Sequence, residues 1–180
     1  MRTAQAHGGV RPPLRLRPYH PDDFDRLIEI DRACFQEGIA YSEEELRYYL
    51  HLPSAAALVG YVPQSTATVG QSREDDRGEI QGFIVADQHR PRGARQCVGK
   101  IITIDVMAQA RRAGLGSRLL DAAEKHLQEA GCAYVALEVA VDNFPALRFY
   151  KKHGYTGVRI LPRYYLGSLD GLLMQKKLGS

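Results

Sequence analysis

Apolar and polar positions recur with two different periods along the chain, and the change of period separates predicted strands from predicted helices. Alternating or continuously apolar stretches predict strands over residues 14–17, 55–62, 79–87, 97–107, 134–141, 157–164 and 172–178. Helical spacing predicts helices over residues 21–37, 42–50, 115–130 and 143–153. No repeat or linker interrupts this order. We therefore expect one α/β (α+β) domain over residues 14–180, with about seven strands and about four helices.

Capping residues mark the ends of these predicted helices. Ser42 is followed three residues later by Glu45, which is the spacing of a capping box. Asn143 is a good N-cap because its side-chain oxygen accepts a hydrogen bond from an unpaired helical N–H group. Gly131 and Gly154 follow the last apolar positions of two helices, where a left-handed backbone commonly ends a helix.

The junction between the strand over residues 97–107 and the next helix has the composition of an anion-binding site. Residues 111–117 read Arg-Arg-Ala-Gly-Leu-Gly-Ser. A helix N-terminus offers unpaired N–H groups and a positive dipole, and glycines permit close approach of a ligand to the backbone. The Walker A spacing is absent, and Leu119 occupies the last small position of a dinucleotide fingerprint. We expect a phosphate ester here; a glycine-rich helix start with two solvated arginines is an equally open alternative.

A single carboxylate lies on one face of the strand predicted over residues 134–141. Alternation places Val135, Leu137 and Val139 on an apolar face and Glu138 on the other, between two alanines. Small neighbours leave space around the carboxylate, which suits a cleft, whereas the alternative is an acid at the surface.

In the following helix Tyr150 lies seven residues after Asn143, which places both residues on the same side of the helix. Tyr150 is thus either a cleft residue or a core residue with its hydroxyl at the edge.

Composition and charge exclude several classes of function. The formal net charge of +3 is too small to indicate a nucleic-acid partner. No apolar run approaches the roughly 20 residues of a membrane span. Residues 1–13 are basic without an apolar centre, so we expect a flexible tail rather than a secretory signal. Cys34, Cys97 and Cys132 are odd in number and widely spaced, and we expect neither a metal site nor a disulfide framework, with the cytoplasm as the default location.

The Arg-x-x-Gly-x-Gly pattern after a strand resembles the acetyl-CoA signature of the GNAT superfamily of N-acetyltransferases. The resemblance covers about residues 14–178 and implies a single GNAT-like domain with a mixed central sheet. It implies acetyl-CoA as cofactor, with the pyrophosphate on the loop amides and the pantetheine arm along the strand end. Ala108 and Ala110 stand where the family often has proline and an aromatic residue. The cofactor-binding residues that the resemblance implies are Ile104, Asp105, Val106, Arg111, Arg112, Ala113, Gly114, Leu115, Gly116 and Ser117.

A second run, from Leu137-Glu138-Val139 through Asn143 to Tyr150 and Tyr155, is similar to the second GNAT signature of N-terminal acetyltransferases. The bacterial ribosomal-protein alanine N-acetyltransferases are the most similar group. The resemblance implies that Glu138 activates the amine, usually through water, and that Tyr150 assists the departing thiolate. It also implies that Asn143 and Tyr150 contact the cofactor.

Acceptor residues are implied by the same resemblance. Tyr164 and Tyr165 are similar to paired tyrosines that hold a peptide backbone, and Tyr41 belongs to a loop that closes over the substrate, with Glu138 beside it. The group often has Pro-Trp where this chain has Ala40-Tyr41, which leaves the peptide preference open.

We therefore predict an enzyme that transfers acetyl from acetyl-CoA to a primary amine, most readily the α-amine of a protein or peptide N-terminus. A small-molecule amine or a lysine side chain as acceptor, and a non-catalytic acyl-CoA-binding module, are the alternatives. We expect no nucleic-acid or membrane partner and no metal. The sequence does not indicate an oligomeric state, so a monomer is the default expectation.

Overall fold

The structure, a computed structural model, describes residues 13–63, 78–90, 93 and 96–179, and within them it contains seven strands and four α-helices. The order of elements predicted from the sequence is confirmed. The predicted tail, apart from residue 13, lies outside the described residues, and so do residues 64–77. The helices are α1 (Phe24–Cys34), α2 (Glu43–Leu50), α3 (Leu115–Glu129) and α4 (Phe144–Lys152). The strands are β1 (Arg15–Pro18), β2 (Ala56–Val62), β3 (Glu79–His89), β4 (Cys97–Val106), β5 (Cys132–Ala140), β6 (Thr156–Tyr165) and β7 (Leu169–Lys177).

All seven strands form one mixed sheet in the order β1-β2-β3-β4-β5-β7-β6. Neighbouring strands are antiparallel, except for β4 and β5, which are parallel and joined by the crossover helix α3. The mixed sheet expected from the family resemblance is thereby confirmed. Strand β3 extends to His89, two residues beyond the strand predicted over residues 79–87.

The two parallel strands separate halfway along their length. Their pairing runs from Cys97 opposite Cys132 to Lys100 opposite Ala136 and ends there. Beyond it β4 remains paired with β3 on its outer side, and β5 remains paired with β7. An opening is left in the sheet between residues 101–106 of β4 and residues 137–140 of β5, which we call the strand gap.

Two apolar cores lie on the two faces of the sheet. The larger core contains α3 and α4 and the β5 residues Val135, Leu137 and Val139, as the alternation predicts. The second core joins α1 and α2 to β2 and β3 through Leu27, Leu46 and other fully buried side chains. Glu138, between two core residues of β5, therefore lies on the face that carries α1 and α2.

The predicted helix caps are confirmed. The Ser42 hydroxyl accepts from the Glu45 N–H at 3.2 Å, and the Glu45 carboxylate accepts from the Ser42 N–H at 2.9 Å. The Asn143 side-chain oxygen accepts from the Ala146 N–H at 3.2 Å. None of the helices in the described part of the chain has both the length and the hydropathy needed to cross a membrane.

The expectation that the chain has no disulfide is wrong for one pair of cysteines. Cys97 and Cys132 are joined by a disulfide, with Cα atoms 4.5 Å apart, at the first residues of β4 and β5. Thirty-four residues separate the two cysteines in the sequence, and only the parallel register of the two strands brings them together. Cys34 is a free thiol on α1.

Candidate active site

The turn between β4 and α3 leaves a row of N–H groups without acceptors in the helix. The first helical hydrogen bond of α3 runs from the Arg118 N–H to the Gly114 carbonyl at 3.1 Å. The N–H groups of Leu115, Gly116 and Ser117 precede it and lie at the positive end of the helix dipole. We call residues 111–117 the amide cradle. The Leu115 side chain is buried in the core, so only its backbone is available to a ligand.

The amide cradle is open above its glycines. Gly114 has a φ of 83°, which strongly favours glycine, and a Cβ atom added there would have nothing within 4 Å. A Cβ on Gly116 would meet Phe149 and Val106 only at ordinary contact distances of 3.6 and 3.7 Å. Arg111 and Arg112 are exposed at the edge of the cradle. Unpaired N–H donors, open space and two cations fit a pyrophosphate group.

A histidine that the sequence did not single out lies at the amide cradle. His153 ends α4, and its Nε2 is 2.9 Å from the Ser117 hydroxyl, so α3 and α4 are joined there. The spacing of the histidines gives no signal for this contact. It depends on the packing of two helices that are distant in sequence.

The backbone of β4 presents hydrogen-bonding groups to the strand gap. The Met107 N–H donates to the Gln81 carbonyl of β3 at 2.9 Å. Antiparallel strands alternate the direction of their N–H groups, so the Val106 and Ile104 N–H groups point away from β3 and into the gap. The Val106 carbonyl accepts from Arg111 Nε at 2.8 Å. An extended arm with amide groups fits this edge.

The side chain of Asp105 is turned away from solvent and interacts with α1. It is 1% exposed and accepts a hydrogen bond from the Thr103 hydroxyl at 3.1 Å. Burial, together with the charge of Asp31, raises the pKa of Asp105 well above its usual value. Asp105 is also paired with Phe83 of β3, so its backbone N–H and carbonyl groups point towards β3 and not into the strand gap.

Glu138 forms an ion pair with a lysine that the sequence analysis did not select. Glu138 Oε2 lies 3.1 Å from Lys100 Nζ, and the side chains are 19% and 38% exposed. Burial alone would lower the pKa of Lys100, but the charge and hydrogen bond of Glu138 outweigh it and the pKa lies above its usual value. A lone lysine within the apolar strand over residues 97–107 is the signal that would have identified it.

Tyrosine side chains surround this ion pair. The rings of Tyr164 and Tyr165 pack edge to face at 5.0 Å, and both tyrosines interact electrostatically with Glu138. Tyr49 of α2 interacts with Lys100 and Tyr164. Burial is the main cause that raises the pKa of Tyr164 and Tyr165, so both phenols stay neutral at physiological pH.

Tyr41 lies beside these tyrosines, on the loop between α1 and α2. Its hydroxyl donates to the Ile102 carbonyl at 3.2 Å, and its ring packs against Tyr49 at 5.4 Å. Tyr164 and Tyr165 are among its electrostatic neighbours. The structure thus brings the predicted acceptor residues Tyr41, Tyr164 and Tyr165 together with Glu138 on one face of the sheet.

Tyr150 belongs to the core on the opposite face. It is 7% exposed, and burial is the main cause that raises its pKa, with Asp105 and Tyr165 as its electrostatic neighbours. Tyr165 is also an electrostatic neighbour of Glu138, so the two predicted catalytic side chains share one neighbour although they come from opposite faces.

Asn143 uses its side-chain oxygen in the helix cap, which leaves its NH₂ group as the donor it offers a ligand. Within the described residues, no cluster of three histidine, cysteine or acidic side chains is arranged to hold a metal.

A mixed sheet that opens between its two parallel strands, with a helix N-terminus at the opening, is the architecture of an N-acetyltransferase. The chain belongs to the acetyltransferase (GNAT) family, whose sequence model matches residues 21–155. The resemblance drawn from the Arg-x-x-Gly-x-Gly pattern is thereby confirmed, and the protein is an acetyltransferase.

Similar proteins agree with this assignment. An N-alpha-acetyltransferase of Sulfurisphaera tokodaii is 31% identical over 97% of this chain and 98% of its own length. The crystal structure of Ard1 from Thermoplasma volcanium has a TM-score of 0.74 and 28% identity, covering 93% of this chain and 99% of that protein. The ribosomal-protein-S18-alanine N-acetyltransferase of Escherichia coli shares the fold, with a TM-score of 0.72 at 18% identity, over 93% of this chain and 96% of its own.

Proposed function

We propose that this enzyme transfers acetyl from acetyl-CoA to the α-amine of a protein or peptide N-terminus. Acetyl-CoA is its acetyl donor, as in the GNAT family to which it belongs. The observation that carries the proposal is the strand gap, with a row of free N–H donors beside it and a carboxylate among tyrosines on one face. The similarity to an N-alpha-acetyltransferase along nearly the whole chain supports the acceptor class.

The donor half of the site is assigned to the amide cradle and the edge of β4. The N–H groups of residues 115–117 bind the pyrophosphate, with Arg111 and Arg112 at the rim supplying positive charge. The gap-facing backbone of Ile104 and Val106 pairs with the amides of the pantetheine arm, much as an added strand would. The Val106 N–H group is also suited to polarise the thioester carbonyl.

The acceptor half of the site is assigned to the face that carries Glu138. The carboxylate takes a proton from the incoming amine, directly or through one water molecule. Tyr41, Tyr164 and Tyr165 hold the first residues of the peptide. All three rings supply contact area, and the hydroxyls of Tyr164 and Tyr165 supply hydrogen bonds to an extended backbone, whereas the Tyr41 hydroxyl already donates to the Ile102 carbonyl and can only accept.

Tyr150 is assigned to the leaving thiolate of coenzyme A. A thiol has an ordinary pKa near 8.5 and a tyrosine near 10. Because burial raises the pKa of Tyr150 further, the phenol holds its proton and donates a hydrogen bond to the thiolate instead of transferring the proton early.

An α-amine is an easier acceptor than a lysine side chain. Their ordinary pKa values are about 8 and about 10.4, so freeing a lysine of its proton costs about 3 kcal/mol more near neutral pH. A single carboxylate acting as base is sufficient for the easier amine.

The test uses purified protein with acetyl-CoA and three peptides: one with a free N-terminus and no lysine, one with a blocked N-terminus and one lysine, and one with neither amine. We expect acetylation of the first peptide. Modification of the lysine peptide alone contradicts the proposed acceptor, and no thiol release with any amine contradicts catalysis.

The residue roles are tested by the double variant Glu138→Gln, Tyr150→Phe. We expect turnover to fall at least about a thousandfold, because base and thiolate donor each contribute about 10²-fold or more. Acetyl-CoA affinity, measured by calorimetry, should stay within about threefold of the wild type, a change below about 1 kcal/mol. Glu129→Gln, Tyr134→Phe is the matched control, because Glu129 is exposed on α3 and Tyr134 is exposed near the start of β5, where β4 and β5 are still paired. Full turnover in the first double variant contradicts the assigned roles.

A further inference from the structure

Lys100 occupies the point at which β4 and β5 stop pairing. It lies opposite Ala136, the last paired position before the strand gap, and its neighbour Ile101 is buried in the core. Its side chain therefore projects to the face of Glu138, where Nζ and Oε2 are 3.1 Å apart. The lysine is half-buried in a cleft of tyrosines rather than extended into solvent.

The charge at this position comes from the lysine and the glutamate together. The titratable groups that face the pair are Tyr49 from α2 and Tyr164 and Tyr165 from β6. A tyrosine is neutral at physiological pH unless its pKa is strongly lowered, and that of Tyr164 and Tyr165 is raised. The charges of Lys100 and Glu138 cancel, so the acceptor face is neutral close to the carboxylate.

This neutrality matters because an N-terminal amine is largely an ammonium ion near pH 7. A lone carboxylate in a half-buried cleft would hold that ammonium as an ion pair, and an ammonium has no electron pair with which to attack a thioester. An amine within hydrogen-bond reach of Glu138 lies within about 6 Å of Lys100 Nζ. At that distance the lysine repels an ammonium and leaves a neutral amine unaffected.

We propose that Lys100 is a positioning residue that cancels the charge of Glu138, so that the acceptor amine binds next to the base as the free base rather than as a trapped ammonium. The proposal rests on the proposed acetylation of an α-amine with Glu138 as base. Lys100 takes no proton in the reaction and acts through Glu138 and the bound amine.

The test compares Lys100→Met and Lys100→Arg with the wild type. For each enzyme kcat is measured at saturating peptide and acetyl-CoA over about pH 6–10, because this range spans the α-amine pKa near 8. In Lys100→Met the amine meets an unbalanced carboxylate, so the acidic limb of the kcat profile should move about one pH unit to higher pH. At pH 7 this is about a tenfold loss of kcat, and the loss should shrink to about twofold or less on the alkaline plateau. KM for the peptide should not rise, since the ammonium is held more tightly. Lys100→Arg keeps the charge and should keep the wild-type profile.

Lys125→Met is the matched control, because Lys125 also pairs with a glutamate, Glu129 at 3.8 Å, but on the exposed side of α3. It should leave the profile unchanged. An unshifted profile in Lys100→Met overturns the proposal, and so does a loss of kcat by the same factor at every pH, which is the mark of a structural role. If Lys100→Met does not fold, as judged by its melting curve, Lys100→Gln is measured against the same criteria.

Failure of this inference is distinguishable from failure of the proposed function. A wild-type enzyme that does not acetylate α-amines, or a Glu138→Gln variant with full activity, contradicts the proposed function. A wild-type profile in Lys100→Met beside an inactive Glu138→Gln variant contradicts the role of Lys100 alone.

Discussion

The backbone N–H of Tyr41 donates a hydrogen bond of 2.7 Å to the carboxylate of Asp31, and this bond ties the loop between α1 and α2 to helix α1. Asp31 is fully buried, and its second oxygen, Oδ1, has no hydrogen-bond partner. A carboxylate in this setting is expensive to ionise. The segment that carries Tyr41 towards the acceptor tyrosines is therefore held by a group whose charge depends on pH.

Asp31 should make the folded protein less stable as the pH rises. Burial raises its pKa to about 6, despite the opposing hydrogen bond from Tyr41. The folded state then binds the proton more tightly than the unfolded state, so stability falls between about pH 4 and about pH 6 and is level above that. The contribution is at most about 3 kcal/mol, at 1.36 kcal/mol per unit. In urea unfolding, Asp31→Asn should gain stability relative to the wild type from pH 4 to pH 7.

The matched control for this variant is Asp25→Asn, which changes an exposed acid in the first turn of the same helix. Its stability difference from the wild type should be the same at both pH values. An equal difference at both pH values for Asp31→Asn would show that the buried carboxylate does not carry the pH dependence.

Gly114→Ala should weaken acetyl-CoA binding as well as stability. A non-glycine residue in the left-handed conformation costs roughly 1 kcal/mol. The added Cβ also occupies the open space above the amide cradle. Gly131→Ala, at a φ of 82° just after α3 and again with nothing within 4 Å, carries a similar backbone cost away from the site. We expect both variants to have a similarly lowered melting temperature. Calorimetry should detect weaker acetyl-CoA binding only for Gly114→Ala.

Thiol titration tests the link between Cys97 and Cys132. The chain has three cysteines, so denatured, unreduced protein should give one thiol and reduced protein should give three. Closing a loop of about 35 residues stabilises the folded state by about 3–4 kcal/mol in the chain-entropy account, and reduction should lower the urea midpoint accordingly. Three thiols before reduction would contradict the disulfide.

Tyr164→Ala should impair the acceptor without affecting the donor. Its ring packs against Tyr165 and lies half-exposed near Glu138. Loss of an aromatic contact worth about 1 kcal/mol should raise KM for the peptide about fivefold. Acetyl-CoA affinity should not change. Tyr134→Ala, a similarly exposed tyrosine at the other end of β5, should leave both quantities at wild-type values.

Local patterns predicted the parts of the fold that depend on neighbours in sequence. The capping box at Ser42, the N-cap at Asn143 and the amide cradle are each formed by a few consecutive residues. The alternation in β5 correctly placed Glu138 opposite a fully apolar face, because side-chain direction in a strand has a period of two.

Contacts between strands and between helices were not predictable in the same way. The Lys100–Glu138 ion pair and the Cys97–Cys132 link depend on the register of two parallel strands separated by a whole helix. Alternation gives the direction of each side chain, but it does not give the pairing of one strand with another. The roles assigned to the individual site residues remain predictions that the variants above test.

The strand gap has a consequence for how two substrates meet. A continuous sheet is a barrier, and molecules on its two sides never touch. Where β4 and β5 diverge, the proposed function would bring a thioester in the opening within reach of an amine on the face of Glu138. If both are bound in this way, neither molecule has to leave before the other arrives, and the proposed reaction would proceed in a ternary complex, without an acetylated enzyme in between. A compound that joins both substrates would have to run through the sheet itself.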